Sequence, residues 1–206
     1  MNLDMYYRPA KDITIEEKIK KSRFIASLRV VSTLDNARQV ISTISEKHRS
    51  ATHNCWGFSV DYPDVVDMSS DDGEPPGTAG QPIIGAIKRF QFSDTVIVVT
   101  RYFGGTKLGV RGLIEAYSGV ANQALQKAGK KRVIPVSILF LSTSYNNLQQ
   151  VLHGFQPHLA PKTKPEITYL SIVTIRLDIP LQNRTGAEET ARTMLCRSMI
   201  DQYYWE

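Results

Sequence analysis

The chain has 206 residues, 42% hydrophobic and 22% charged, with a formal net charge of +5. This is an ordinary globular composition, long enough to bury a real core and on the edge between one domain and two. The mild basicity suits polyanionic partners but falls far short of a histone-like tail. Cys55 and Cys196 lie far apart and outside any CxxC spacing, which argues against a disulfide framework and for a reducing compartment. Residues 1–5 lack the basic-then-apolar order of a secretory signal, and no apolar run approaches membrane-spanning length. The expectation is a cytoplasmic protein that does not meet a membrane.

Ile13 and Ile15, then Phe24, Ala26, Leu28 and Val30, alternate with polar residues at the period of a strand, which predicts a hairpin. Between its arms lies the basic cluster 18–23, with Lys21 and Arg23. It reads as a solvated turn, or as part of a polyanion-binding face if a second basic loop stands beside it. A helix follows, with Ser32 and Asp35 at capping-box spacing and Leu34, Ala37, Val40, Ile41 and Ile44 as its buried stripe. Residues 51–60 predict a core strand that places His53 and Cys55 on one face. That pair invites a nucleophile reading, but no third orienting group is visible.

Residues 69–82 carry Asp71, Asp72 and Glu74 among glycines and prolines, a composition that forbids helix and central strand. A loop this long inside a compact domain is usually functional. Its carboxylates lack the alternate-residue spacing of a calcium loop, so no metal and no cofactor is expected. They are expected to pair with Arg101 or to cap backbone N–H groups. Pro82 fits the first position of a short helix carrying Ile83, Ile84, Ile87 and Phe90.

The stretch 95–129 organises the rest. Val96-Ile97-Val98-Val99 reads as a strand buried on both faces. After Arg101, Tyr102 and Phe103 comes a turn holding Gly104, Gly105, Lys107, Gly109 and Arg111. A helix follows with Leu113, Tyr117, Val120 and Ala124 inward, ending at Gly129. A strand emptying through glycines into a helix N-terminus is an anion-binding geometry, flanked here by Lys107 and Arg111. The spacing is neither that of a dinucleotide fingerprint nor of a Walker loop, where Val110-Arg111 stands in place of Lys-Ser/Thr. The alternative is that the glycines only permit a tight turn and close packing.

Taken together, several motifs resemble the Impact family of YigZ-like bacterial proteins. They are Lys21-Ser22-Arg23-Phe24, Ala51-x-His53, Ser70-Asp71-Asp72-Gly73-Glu74-Pro75-x-Gly77-Thr78-Ala79-Gly80-x-Pro82, and Arg101-Tyr102-Phe103-Gly104-Gly105-x-x-Leu108-Gly109-x-x-Gly112-Leu113-x-x-Ala116-Tyr117. The match covers the first two-thirds of the chain. It implies an α+β protein with an N-terminal α/β sandwich over residues 1–131, like the second domain of a small-subunit ribosomal protein. Residues 136–206 would form a C-terminal ferredoxin-like βαββαβ domain like the last domain of elongation factor G. Eukaryotic relatives are regulators of translation under starvation, through a module not expected here.

The C-terminal pattern supports a second domain independently. Residues 130–132 with Pro135 read as a linker, followed by a strand at 136–141 and a helical stripe of Tyr145, Leu148, Val151, Leu152 and Phe155. The 158–168 stretch predicts an edge strand because of its prolines. Val173, Ile175, Leu177 and Ile179 alternate as a half-buried strand. Thr185 and Glu188 stand at capping-box spacing before a helix with Ala187, Ala191, Met194 and Leu195 inward, and 199–205 closes as a strand. The order βαββαβ is the ferredoxin-like motif.

The expectation is therefore a non-enzymatic binding protein that docks on RNA, the ribosome or a translation factor, using phosphate contacts without sequence readout. One alternative is a hydrolase or phosphoryl-handling enzyme built on the acidic loop and glycine turn. Another is a protein partner held by the acidic loop. The candidate binding residues are Lys21, Arg23, His53, Asp71, Asp72, Glu74, Arg101, Tyr102, Gly104, Gly105, Lys107, Gly109 and Arg111.

Overall fold

A computed structural model describes residues 5–61 and 64–206. The chain divides into two compact units, Tyr6–Val133 and a second that includes Ile134–Glu206.

In the first unit the strands β2 (Ile13–Ile19), β3 (Ser22–Val30), β4 (His53–Val60), β5 (Val66–Ser70) and β6 (Thr95–Tyr102) form one sheet. Its order is β2-β3-β6-β4-β5 and every pairing is antiparallel. Central β6 is buried along its length up to Tyr102. Its unbroken apolar run is explained by cover on both faces of an antiparallel sheet. Helix α1 (Leu34–Lys47) packs on one side, over Val96, Phe58 and Val60. Helices α2 (Gly80–Phe90) and α3 (Gly109–Ala128) cover the other, over Phe24, Ala26, Leu28, Cys55, Ile97 and Val99. Tyr117 of α3 is fully buried and meets the Phe24 ring edge-on at 5.3 Å, an arrangement worth about 0.5–1.5 kcal/mol beyond area burial.

Several local expectations change. The basic stretch 130–132 is not a linker. It lies in β7 (Lys130–Val133), which pairs with β1 (Tyr6–Pro9) in a two-stranded sheet, with Lys130 Nζ 3.7 Å from the Tyr7 ring centroid. Two chain segments 120 residues apart cannot advertise such pairing by local pattern. Thr33 rather than Ser32 caps α1, accepting from Asn36 N–H at 3.2 Å. Helix α2 opens at Gly80 and not at Pro82. A Cβ at Gly80 would stand 2.7 Å from the Ser70 backbone, so the approach of β5 to the helix start requires glycine there.

The second unit runs β8 (Val136–Thr143), α4 (Leu148–Phe155), β9 (Glu166–Tyr169), β10 (Val173–Pro180), α5 (Arg184–Cys196) and β11 (Gln202–Trp205). The sheet order is β11-β8-β10-β9, all antiparallel, with β9 at an edge. Val173, Ile175, Leu177 and Ile179 are buried against Leu148, Val151, Phe155, Ala187 and Ala191. Tyr145 falls outside α4, and Leu195 is exposed rather than inward. The second capping box does not form. No side chain caps α5, and Glu188 instead accepts from Trp205 Nε1, Tyr203 Oη and Arg192 Nε.

Candidate functional site

Antiparallel register aligns the site. Phe24 on β3 and His53 on β4 both stand opposite Arg101 on β6, so three residues distant in sequence share one row facing α2 and α3. Above that row passes the acidic loop. Its first residues, Ser69 and Ser70, belong to β5 and its last enter α2, leaving 71–79 irregular.

Each acid has a separate task. Asp71 accepts from the backbone N–H groups of Gly77, Ala79 and Gly80 at 2.8–2.9 Å, which supplies the cap that Ala79 cannot give α2. Burial opposes its ionisation, but those three bonds prevail and hold the carboxyl below the usual carboxylate range. Asp72 Oδ2 accepts from Asn54 N–H at 2.6 Å, while its own carbonyl accepts from His53 Nδ1 at 2.7 Å. Glu74 turns inward. Its Oε1 accepts from Arg101 Nη1 at 2.6 Å and from Tyr117 Oη at 2.8 Å, and its side chain is only 3% exposed. Both expected uses of the acids, pairing with Arg101 and capping backbone donors, are thus present and fall on different residues.

The Arg101 guanidinium lies between the Phe24 and Phe103 rings, 5.5 and 5.3 Å from their centroids, with Nη2 3.4 Å from Ser22 Oγ. Its Nε is buried without a hydrogen-bond partner. Cys55 is fully buried, with Sγ 2.9 Å from the Asp71 carbonyl and 3.4 Å from Tyr117 Oη. Burial, with Glu74, Asp72 and Asp71 nearby, pushes its thiol up to about 12, so the thiolate a nucleophile needs is suppressed. The same burial holds the Tyr117 phenol well above its ordinary value.

The glycine turn lies against the tip of the β2–β3 hairpin. A Cβ on Gly104 would come within 1.9 Å of the Lys21 carbonyl oxygen, so only glycine admits this contact. Lys20 and Lys21 form the hairpin turn itself, both at positive φ (42° and 69°), and both are exposed. Lys107 follows Gly104 by three residues, at most about 10 Å of chain, and is also exposed. Gly105 and Gly109 sit in the left-handed region. Arg23, one residue beyond Ser22, lies 4.4 Å from the Tyr102 ring centroid. Arg111 does not join this group as an unpaired cation, since its Nε bonds Glu115 Oε1 at 2.8 Å along α3. Lys20 belongs to the basic cluster 18–23 that sequence reasoning singled out, but that the hairpin tip neighbours the glycine turn is not foreseen there. The basic cluster was the available signal, but nothing local says which loop it meets.

Between the acidic loop and the glycine turn opens a pocket of about 470 Å³. Its floor is Arg101, Glu74 and Leu113, and its walls include Phe103, Leu108 and Val110. His53 and Lys107 also line it. Leu108 at the start of α3 offers no side-chain cap, so the first-turn N–H groups of that helix face the site uncapped by a side chain.

The family model of the Impact N-terminal domain matches residues 20–125. The IMPACT family member YvyE of Bacillus subtilis is 41% identical over 133 residues, covering 65% of this chain and 61% of that protein. Less than two-thirds of that relative is therefore spanned. The IMPACT family member YigZ of Escherichia coli is 35% identical over 148 residues, covering 71% of this chain and 72% of its own. A crystal structure described as that of a hypothetical protein aligns with a TM-score of 0.68 at 28% identity, over 97% of this chain and 96% of that one. No helix among the described residues is long and apolar enough to cross a membrane.

Proposed function

This chain belongs to the Impact family, and from that premise we propose that it is a non-enzymatic cytoplasmic protein acting in translation or its regulation by docking on RNA, free or within the ribosome. The observation that carries the reading is the contact of Gly104 with Lys21, which joins two basic loops more than 80 residues apart into one rim. Lys20, Lys21 and Lys107 carry no ion pair among the described residues, so their charge is available to phosphate. Phe103, 45% exposed beside them, offers a face on which a base can stack. Cations for the backbone and an aromatic platform for bases are the ingredients of single-strand binding without sequence readout. The family resemblance implies a ribosomal-protein-like domain over 1–131 and one like the tail of elongation factor G over 136–206, and that implied analogy of fold is in keeping with the reading.

Co-sedimentation with ribosomes and with total RNA, over a range of salt, tests it. Binding by the wild type should weaken steeply with salt. In Lys21→Glu/Lys107→Glu the slope of log affinity on log salt should fall by about 0.7 for each phosphate contact removed. An absence of binding even at low salt would sink the reading.

A further inference from the structure

The aromatic wall of the pocket is held in place and yet left uncovered. Phe103 N–H donates to Thr52 Oγ1 at 3.0 Å, and the Phe103 ring lies against the Arg101 guanidinium, which is itself bonded to Glu74. The ring nonetheless stays 45% exposed and lines the pocket. An aromatic face fixed in this way stacks on a planar ligand with little further loss of side-chain freedom. Leu113, almost fully buried, closes the base of the pocket. The floor also leaves one acceptor over. Glu74 Oε1 is spent on Arg101 and Tyr117, whereas Oε2 accepts no hydrogen bond among the described residues. Oε2 is not sealed from solvent in the way that Arg101 Nε is. A ligand that fills the pocket must offer this oxygen a donor, or strip its hydration without compensation.

We propose that the pocket receives one unstacked base of an RNA single strand whose phosphates run along Lys107 and the β2–β3 hairpin tip. The inference rests on the reading of that rim as a phosphate face. It makes the partner an unpaired nucleotide, in a loop, a bulge or a strand end, and excludes a duplex, whose bases are stacked and paired and cannot reach Leu113. A base is planar and presents a π-face to Phe103, while Leu108 and Val110 supply apolar walls. Every base also carries at least one N–H donor on its pairing edge: the amino group of adenine, guanine or cytosine, or N3–H of uracil. One donor suffices for Glu74 Oε2, so the pocket admits all four bases, in keeping with binding that does not read sequence. An aliphatic or phenyl side chain of a protein partner would instead cover Oε2 with apolar surface and gain nothing from Lys107 at the same pocket. The volume lies within the range of about 300–1,000 Å³ typical of small-molecule sites.

Comparing a uridine decamer with an abasic decamer of the same charge, by fluorescence anisotropy at low salt and by NMR, tests this. The uridine strand should bind at least about fivefold tighter than the abasic one. Its uracil protons should show cross-relaxation with the Leu113 methyl groups, which a base stacked outside the pocket does not touch. Phe103→Ala should remove the margin between the strands and leave abasic affinity unchanged, while Phe103→Tyr keeps the margin. Lys20→Glu/Lys21→Glu should weaken both strands by the same factor. Equal affinity for the two strands would overturn the inference and leave the phosphate rim standing. A uridine advantage that survives Phe103→Ala, or that comes without contact to Leu113, would overturn it too, since the base then lies elsewhere. Absence of binding by either strand would sink the rim and the base site together.

Discussion

The acidic loop and the glycine turn face one another across the same pocket and are built from similar materials, yet they use charge in opposite ways. Residues 71–79 spend their carboxylates inward. Asp71 holds three backbone N–H groups, Asp72 holds Asn54, and Glu74 holds Arg101 and Tyr117. The glycine turn leaves Lys107 outward and seats its Gly104 against the Lys21 backbone. A carboxylate accepts several backbone donors at once and so suits a loop that must order itself. An ammonium on a flexible stem is strongly hydrated and is retained at the surface, where a polyanion can reach it. Equal sequence peculiarity therefore divides into inward-turned carboxylates on one side and exposed cations on the other.

That division can be broken from the scaffold side most severely. Glu74→Gln leaves the Arg101 guanidinium buried without its counter-charge, and the expected loss is about 3–5 kcal/mol of unfolding free energy. Urea denaturation measures it, and a loss below about 1 kcal/mol would mean that the pair is not the structural centre of the loop. On the other side of the pocket, Gly104→Ala drives a methyl into the Lys21 carbonyl. Because the obstacle is backbone and not a rotatable side chain, about 1–3 kcal/mol should be lost. RNA affinity should fall with it, since the hairpin tip must move away from Lys107.

Asp71→Asn should cost about 1–3 kcal/mol near neutral pH, because an amide replaces the anion at three N–H groups. The pH dependence has a defined sign. The folded carboxyl lies below its ordinary value of 3.8, so its contribution is complete above that value and is lost as pH falls through the lowered folded value. Acid unfolding curves of wild type and variant should therefore converge at low pH. Parallel curves would show that Asp71 acts through packing alone.

Much of this was legible in the chain. Leu113, Tyr117, Val120 and Ala124 all face the core, as helical period requires, and Val96–Val99 is buried as its β-branched run demands. The acidic residues pointed to Arg101 or to backbone donors because a carboxylate in a glycine-rich loop has few other uses. What local pattern does not encode is long-range pairing. The β1–β7 sheet, the row Phe24–Arg101–His53 and the seating of Lys21 on Gly104 all join residues far apart in sequence. Arg111 illustrates the converse. Its place beside the glycines suggested an anion ligand, while Glu115 one helical turn on is the neighbour that three-dimensional spacing provides.

By itself, then, the sequence determined the periodic elements, the two-part organisation of the chain, the unusual loops and the family, since each of these resides in short-range spacing of residue types. Only the tertiary structure decided which carboxylate meets Arg101, that Cys55 is a fully buried thiol, and that the Lys21 backbone seats on Gly104 of the glycine turn. Those outcomes depend on strand register and on steric contact between loops, which arise only when the sheet assembles.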